Sequence, residues 1–180
     1  MELTYLDKKD FEELFTLMTR SFPSAEYRKK EKQYALLDDS NYELTVYKDE
    51  GVIKAFIAIW KLGSFVFAEH LAVLPELRGG GIGSKFLKEY LSHISTPVVL
   101  EVEDIDDDIA KRRIIFYQRL GFKLSDICYN QPNFDNSDTI IPLRIMYYDK
   151  TNTLDLSSVK NTIFQKIYKR SENGENTNEH

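Results

Sequence analysis

The feature that most limits what this chain can fold into is the run Arg78-Gly79-Gly80-Gly81-Ile82-Gly83-Ser84, which joins an apolar stretch to an amphipathic one. Glycine costs roughly 0.5–1 kcal/mol relative to alanine in ordered structure, because it loses the most backbone freedom on folding. Four glycines crowded beside a cation therefore need a reason. Before them, "SFVFAEHLAVL" reads as a strand, and period-two alternation places Phe65, Phe67, Glu69, Leu71 and Val73 on one face. After them, Ile82, Phe86, Leu87, Tyr90 and Leu91 recur at helical spacing. A strand, a turn without Cβ atoms and a helix N-terminus aim several backbone N–H groups at one point, where the helix dipole favours negative charge. Arg78 adds a fork of donors suited to phosphate oxygens. A turn that merely reversed the chain would need neither. Two nucleotide fingerprints fail: Ser84 separates Gly83 from Lys85 where a P-loop needs glycine directly before lysine, and it replaces the last glycine of a dinucleotide motif counted from Gly79. What is left is an anion cradle.

The rest of the chain reads as one α/β domain. With 180 residues, 42% hydrophobic and 29% charged, it is long enough for a real core and patterned like a soluble globular protein. A net charge of −5 argues against a nucleic-acid partner. The single cysteine, Cys128, excludes an internal disulfide framework, fits a reducing compartment and is expected to be a small packing residue. The N-terminus is charged from its second residue, and no apolar run approaches the roughly 20 residues of a spanning helix. The expectation is a cytoplasmic protein with no membrane partner.

Helical spacing of Phe11, Leu14, Phe15 and Met18 behind Asp7 predicts a first helix; "SAEYRKKEKQYALL" predicts a second. "YELTVYKD" and "VIKAFIAIW" form a hairpin around Asp49-Glu50-Gly51. Further on come a strand at "PVVLEVE", a helix carrying Ile109, Phe116, Tyr117 and Leu120, and strands at "FKLSDICY" and "IIPLRIMYY". Residues 1–150 are expected to form the domain. Residues 151–170 extend it with an amphipathic helix (Leu156, Val159, Ile163, Phe164, Ile167) that packs on the domain or on a second copy, and 171–180 form a polar, disordered tail.

"HLAVLPELRGGGIGSKFLKEYL" resembles the acetyl-CoA signature of GNAT-type N-acetyltransferases, with Arg78, Gly81 and Gly83 at its Arg/Gln-x-x-Gly-x-Gly/Ala positions. "FYQRLGF" at 116–122 resembles a second family feature, an aromatic–tyrosine pair before Gly-Phe. The resemblance implies a mixed, mostly antiparallel central sheet flanked by helices, with acetyl-CoA as co-substrate and no metal. It implies a small-molecule or peptide amine as acceptor, and a homodimer is compatible with it. It places the coenzyme A pyrophosphate on the amides of Gly79, Gly80, Gly81, Ile82, Gly83 and Ser84, and the pantetheine arm along Leu71, Ala72 and Val73. The Val73 N–H is then the donor for the oxyanion. Tyr117 matches the tyrosine that protonates the leaving thiolate, and Glu69, read on the same strand face as Leu71, is the base candidate. His70 is expected on the opposite face. Many members carry an Asn where this chain has Ala110. "YNQPNFDN" and the Arg112-Arg113 pair resemble one bacterial subgroup and suggest an acceptor pocket of Arg112, Arg113, Gln131 and Phe134, joined by Arg28.

Overall fold

The computed structural model describes residues 1–103, 108–131 and 141–168. Seven strands form one sheet: β1 (Thr4–Tyr5), β2 (Tyr42–Asp49), β3 (Val52–Lys61), β4 (Val66–Val73), β5 (Val98–Glu103), β6 (Lys123–Asn130) and β7 (Pro142–Tyr148). Their order is β1-β2-β3-β4-β5-β7-β6, and every neighbouring pair is antiparallel except β4 and β5. The β2–β3 hairpin closes through Glu50 and Gly51, both at positive φ, the twist that tight hairpin turns require.

The helices divide between the two faces. On one face Leu14, Leu17 and Met18 of α1 (Phe11–Ser21) pack on Leu44, Val46, Phe56, Trp60, Phe67 and Ile145. On the other, α3 (Ile82–Ser92) and α4 (Asp108–Arg119) bury Phe86, Leu87, Tyr90, Ile114 and Tyr117 against Ile57, Ile59, Val98 and Leu100. The second predicted helix is shorter than its sequence suggests. A single turn at Ser24–Glu26 precedes an extended Tyr27, and α2 spans Lys30–Ala35 only. That extended link carries Arg28 back over the Trp60 ring, at 5.6 Å.

The apolar stripe near the C-terminus is used within the chain. Asp155 caps α5 (Leu156–Ile163) by accepting from the Ser157 N–H at 3.0 Å, and a π-helical turn follows at Phe164–Tyr168. Val159, Ile163 and Ile167 enter the same core as α1. Each fully buried aliphatic side chain contributes roughly 1.5–3 kcal/mol, so the extension is part of the core.

Two expectations need correction. Cys128 lies exposed on β6, the edge strand, where alternation turns it away from the core. And β4 does not keep one face. Its register with β3 runs Ala58 to His70 but Ile59 to Ala68, so Glu69 is an extra residue, a β-bulge. Phe65 and Phe67 pack on the α1 side, whereas Leu71 and Val73 pack on the α3 side. One inserted residue exchanges the faces.

Candidate active site

The bulge also marks where the sheet opens. β4 and β5 pair only over Val66–Ala68 and Val98–Leu100, although β4 continues to Val73 and β5 to Glu103. Beyond Ala68 the two strands diverge. The Leu74 N–H donates to the Lys54 carbonyl at 2.8 Å, so by alternation the N–H and C=O of Val73 turn away from β3, toward the gap. A cavity of about 620 Å³ fills this opening and reaches both faces of the sheet.

On the α3 side the cavity is lined by Leu71, Val73, Gly79, Gly81, Ile82, Gly83, Ser84 and Tyr117. Gly81 precedes α3 at φ 80°, a conformation that side chains resist, and lets the helix start abruptly. A Cβ on Gly83 would sit 3.2 Å from Val73 Cγ2 and 3.7 Å from the Phe116 ring, so glycine sets the close approach of helix start and strand end. The first N–H groups of a helix have no intrahelical acceptor, and here they face the cavity rim. Arg78 spans this rim. Its Nε donates to the Val73 carbonyl at 3.2 Å and its Nη2 to Ser21 Oγ at 3.0 Å, fastening the end of α1 to the end of β4. Tyr117 is packed edge-on against Phe116 and Phe122, and burial pushes its pKa up to about 12.

The opposite side is polar. Glu69, with its side chain 4% exposed, accepts two parallel bonds from Arg28, at 2.9 and 3.0 Å. Burial alone would raise its pKa; the adjacent guanidinium overrides that and holds it below the usual carboxylate value. Glu69 is therefore a fixed anion and a weak proton acceptor. His70 lies on this same side, not opposite, because the bulge turns both residues toward α1. Its Nε2 meets the Glu26 carbonyl at 2.8 Å and its ring packs on Phe22, while Nδ1 lies 3.6 Å from Glu69. Burial pushes the His70 pKa down, so the neutral ring donates from Nε2.

Of the residues read from the sequence, Glu69, Leu71, Ala72, Val73, Arg78, Gly79, Gly81, Ile82, Gly83, Ser84, Arg113, Tyr117 and Gln131 line this one cavity. Gly80 is exposed in the turn and does not line the cavity, and Arg28 joins the site as the partner of Glu69. Arg112 is exposed on α4 away from the cavity, Arg113 faces Glu103 at 3.7 Å, and Phe134 lies outside the described residues.

One group escaped the sequence reading. Glu101 of β5 lines the cavity, and its two oxygens accept from the phenols of Tyr129 and, at 2.9 Å, Tyr168. Burial, reinforced by the negative charges of Glu69 and Glu26, raises its pKa to about 7 despite those two hydrogen bonds. The signal was present: a lone glutamate inside "VVLEV", on a strand whose neighbours are all buried.

A cleft splitting two parallel strands, with a glycine turn and helix start on one side and ionisable groups on the other, suits an anionic ligand laid along an open strand edge. The acetyltransferase (GNAT) domain family model matches residues 40–124. A candidate GNAT-family acetyltransferase from Bacteroides thetaiotaomicron is 30% identical over 93% of this chain and 98% of its own, with a TM-score of 0.84. YjbC, a candidate acetyltransferase of Bacillus subtilis (strain 168), is 35% identical over 109 residues, and the match spans 59% of this chain but only 54% of that protein. An aminoglycoside 6'-N-acetyltransferase in complex with coenzyme A shares the fold at 16% identity, with a TM-score of 0.60 over 82% of this chain and 96% of its own. The chain belongs to the GNAT acetyltransferase family.

Proposed function

We propose that this protein transfers an acetyl group from acetyl-CoA to a primary amine by direct attack within the cleft. The observation that carries the reading is the gap between β4 and β5, which ends against the glycine turn at the start of α3. A free strand edge suits the amide-bearing pantetheine arm, and helix-start amides suit the pyrophosphate. The Val73 N–H, turned to the gap, suits the oxyanion of the tetrahedral intermediate. Arg78 supports the cradle as a brace and presents its remaining donors at the rim.

Tyr117 is the proton donor to the leaving thiolate. Its raised pKa keeps it protonated, and since a free thiol titrates near 8.5, it acts as the C–S bond breaks and is not itself ionised between turnovers. Glu69, neutralised by Arg28, serves as a fixed wall of the acceptor side. The acceptor is a small-molecule or peptide amine, and the setting is cytoplasmic. Among the described residues no helix is long and apolar enough to cross a membrane.

Ligand binding to the native state raises stability, by about 2.7 kcal/mol at a hundredfold excess over Kd. Acetyl-CoA at roughly millimolar concentration should therefore lift the melting temperature by several degrees. Arg78→Glu should abolish that lift, and Tyr117→Phe should retain it while slowing CoA release on a panel of amines at least tenfold. A flat melting curve with acetyl-CoA would refute the reading.

A further inference from the structure

Glu101 is not held by the family's matched core alone. One of its hydrogen-bond donors, Tyr129, lies on β6; another, Tyr168, lies in the C-terminal segment, more than forty residues beyond the matched region. Tyr168 follows Ile167, which is buried in the core with Ile163 and Val159. The π-helical turn at Phe164–Tyr168 changes the helical period there, and such turns recur at functional sites. Tyr168 itself lines the cavity, and Gln131 lies against its phenol.

We propose that the C-terminal segment is a working wall of the acceptor site, in which Tyr168 is a positioning residue that holds Glu101 as the proton acceptor for the incoming amine. This rests on the acetyl-transfer reading above. Three observations support it. The carboxyl lies on the face of the sheet opposite the glycine turn, the side left for an acceptor. Of the other carboxylates that line the cavity, Glu69 is consumed by Arg28, Glu103 faces Arg113, and Glu26 stands on the link before α2 rather than on a strand of the gap. And both phenols donate to Glu101, leaving its outer lone pairs for an ammonium N–H.

The step balances. The ammonium passes one proton to Glu101, which returns it to solvent after turnover. The freed nitrogen lone pair forms the C–N bond to the acetyl carbonyl carbon, and the C–S bond breaks with its electron pair on sulfur. The second nitrogen proton then ends on the thiolate by way of Tyr117.

The groups that face Glu101 are Tyr129 from β6, Tyr168 from the C-terminal turn, Glu69 from β4 and Glu26 from the link before α2; Arg28 is engaged by Glu69, and Arg113 faces Glu103. Both phenols stabilise the ionised carboxylate, so losing one raises its pKa. The test compares wild type, Tyr168→Phe and Glu101→Gln. Carbon-13 NMR of glutamate-labelled protein should show Glu101 titrating near neutrality, identified by its absence in Glu101→Gln. In Tyr168→Phe this titration should move up by about half a unit to one unit. With ethylamine as the acceptor probe and free CoA as the readout, the acid limb of kcat/KM should move up by the same amount, while the acetyl-CoA melting shift stays intact. An unmoved carboxyl titration in Tyr168→Phe, or undiminished turnover in Glu101→Gln, would overturn the proposal. If ethylamine turns over too slowly to profile, the carboxyl titration decides. Loss of the acetyl-CoA shift in wild type would instead refute the underlying acetyl-transfer reading.

Discussion

Arg28 and Glu69 show how a side chain legible in sequence can change meaning through its partner. Glu69 lines the cleft, though on the face opposite Leu71 and not beside it as alternation has it, and the link that brings Arg28 across from residues 24–29 has no periodic signal to reveal the pair. Removing one member of a buried, hydrogen-bonded pair leaves the other uncompensated, which typically costs 3–5 kcal/mol. Arg28→Met should therefore destabilise by about that amount, measured by urea denaturation, and Arg28→Met with Glu69→Leu should recover much of the loss. If the double variant is as unstable as the single one, the pair is not what holds this wall. Glu101 was missed for a related reason. A glutamate on a strand reads as an exposed residue until the packing of β5, β6 and the C-terminal turn around it is known.

At the scale of elements, the hydrophobic periods located six of the seven strands and the helices α1, α3, α4 and α5 to within a few residues, because each buries an apolar face. The two-residue β1 carries too little pattern to see. The bulge was hidden for another reason: "VFAEHLAV" continues to alternate in composition after the extra residue, so nothing local reports the exchange of faces. The glycine turn was legible because conformation and contact restrict it. Gly83→Val should press on Val73 and Phe116 and push the start of α3 off the end of β4. Overpacking of this kind costs about 1–3 kcal/mol. Acetyl-CoA affinity, measured by titration calorimetry, should fall tenfold or more, because the displaced amides no longer converge. Unchanged affinity would mean that the cradle does not depend on this contact.

The whole molecule is organised so that one layer serves two ends of the chain. The α1 side of the sheet is filled jointly by residues near the N-terminus and by Val159, Ile163 and Ile167. Marginal stabilities of 5–15 kcal/mol leave little room for losing three buried aliphatic side chains at once. Truncation after Leu154 should abolish the cooperative thermal transition seen by circular dichroism; a truncated chain that melts like the full one would show that the extension is dispensable. The sequence stripe foretold this helix but left open what it would cover, since an apolar face does not name its partner.

The extra residue in β4 has a consequence for how such a chain can change by descent. Substitutions at Glu69 alter one side chain. Deleting the position would restore an unbroken ladder, with His70 still opposite Ala58 and Ala68 opposite Ile59, and would leave Leu71 and Val73 on the α3 side. The thioester-binding edge would survive; what would go is the carboxylate that holds Arg28. Loss of this one residue by descent is therefore expected to travel with a change at Arg28, while the strand edge beyond it keeps its place.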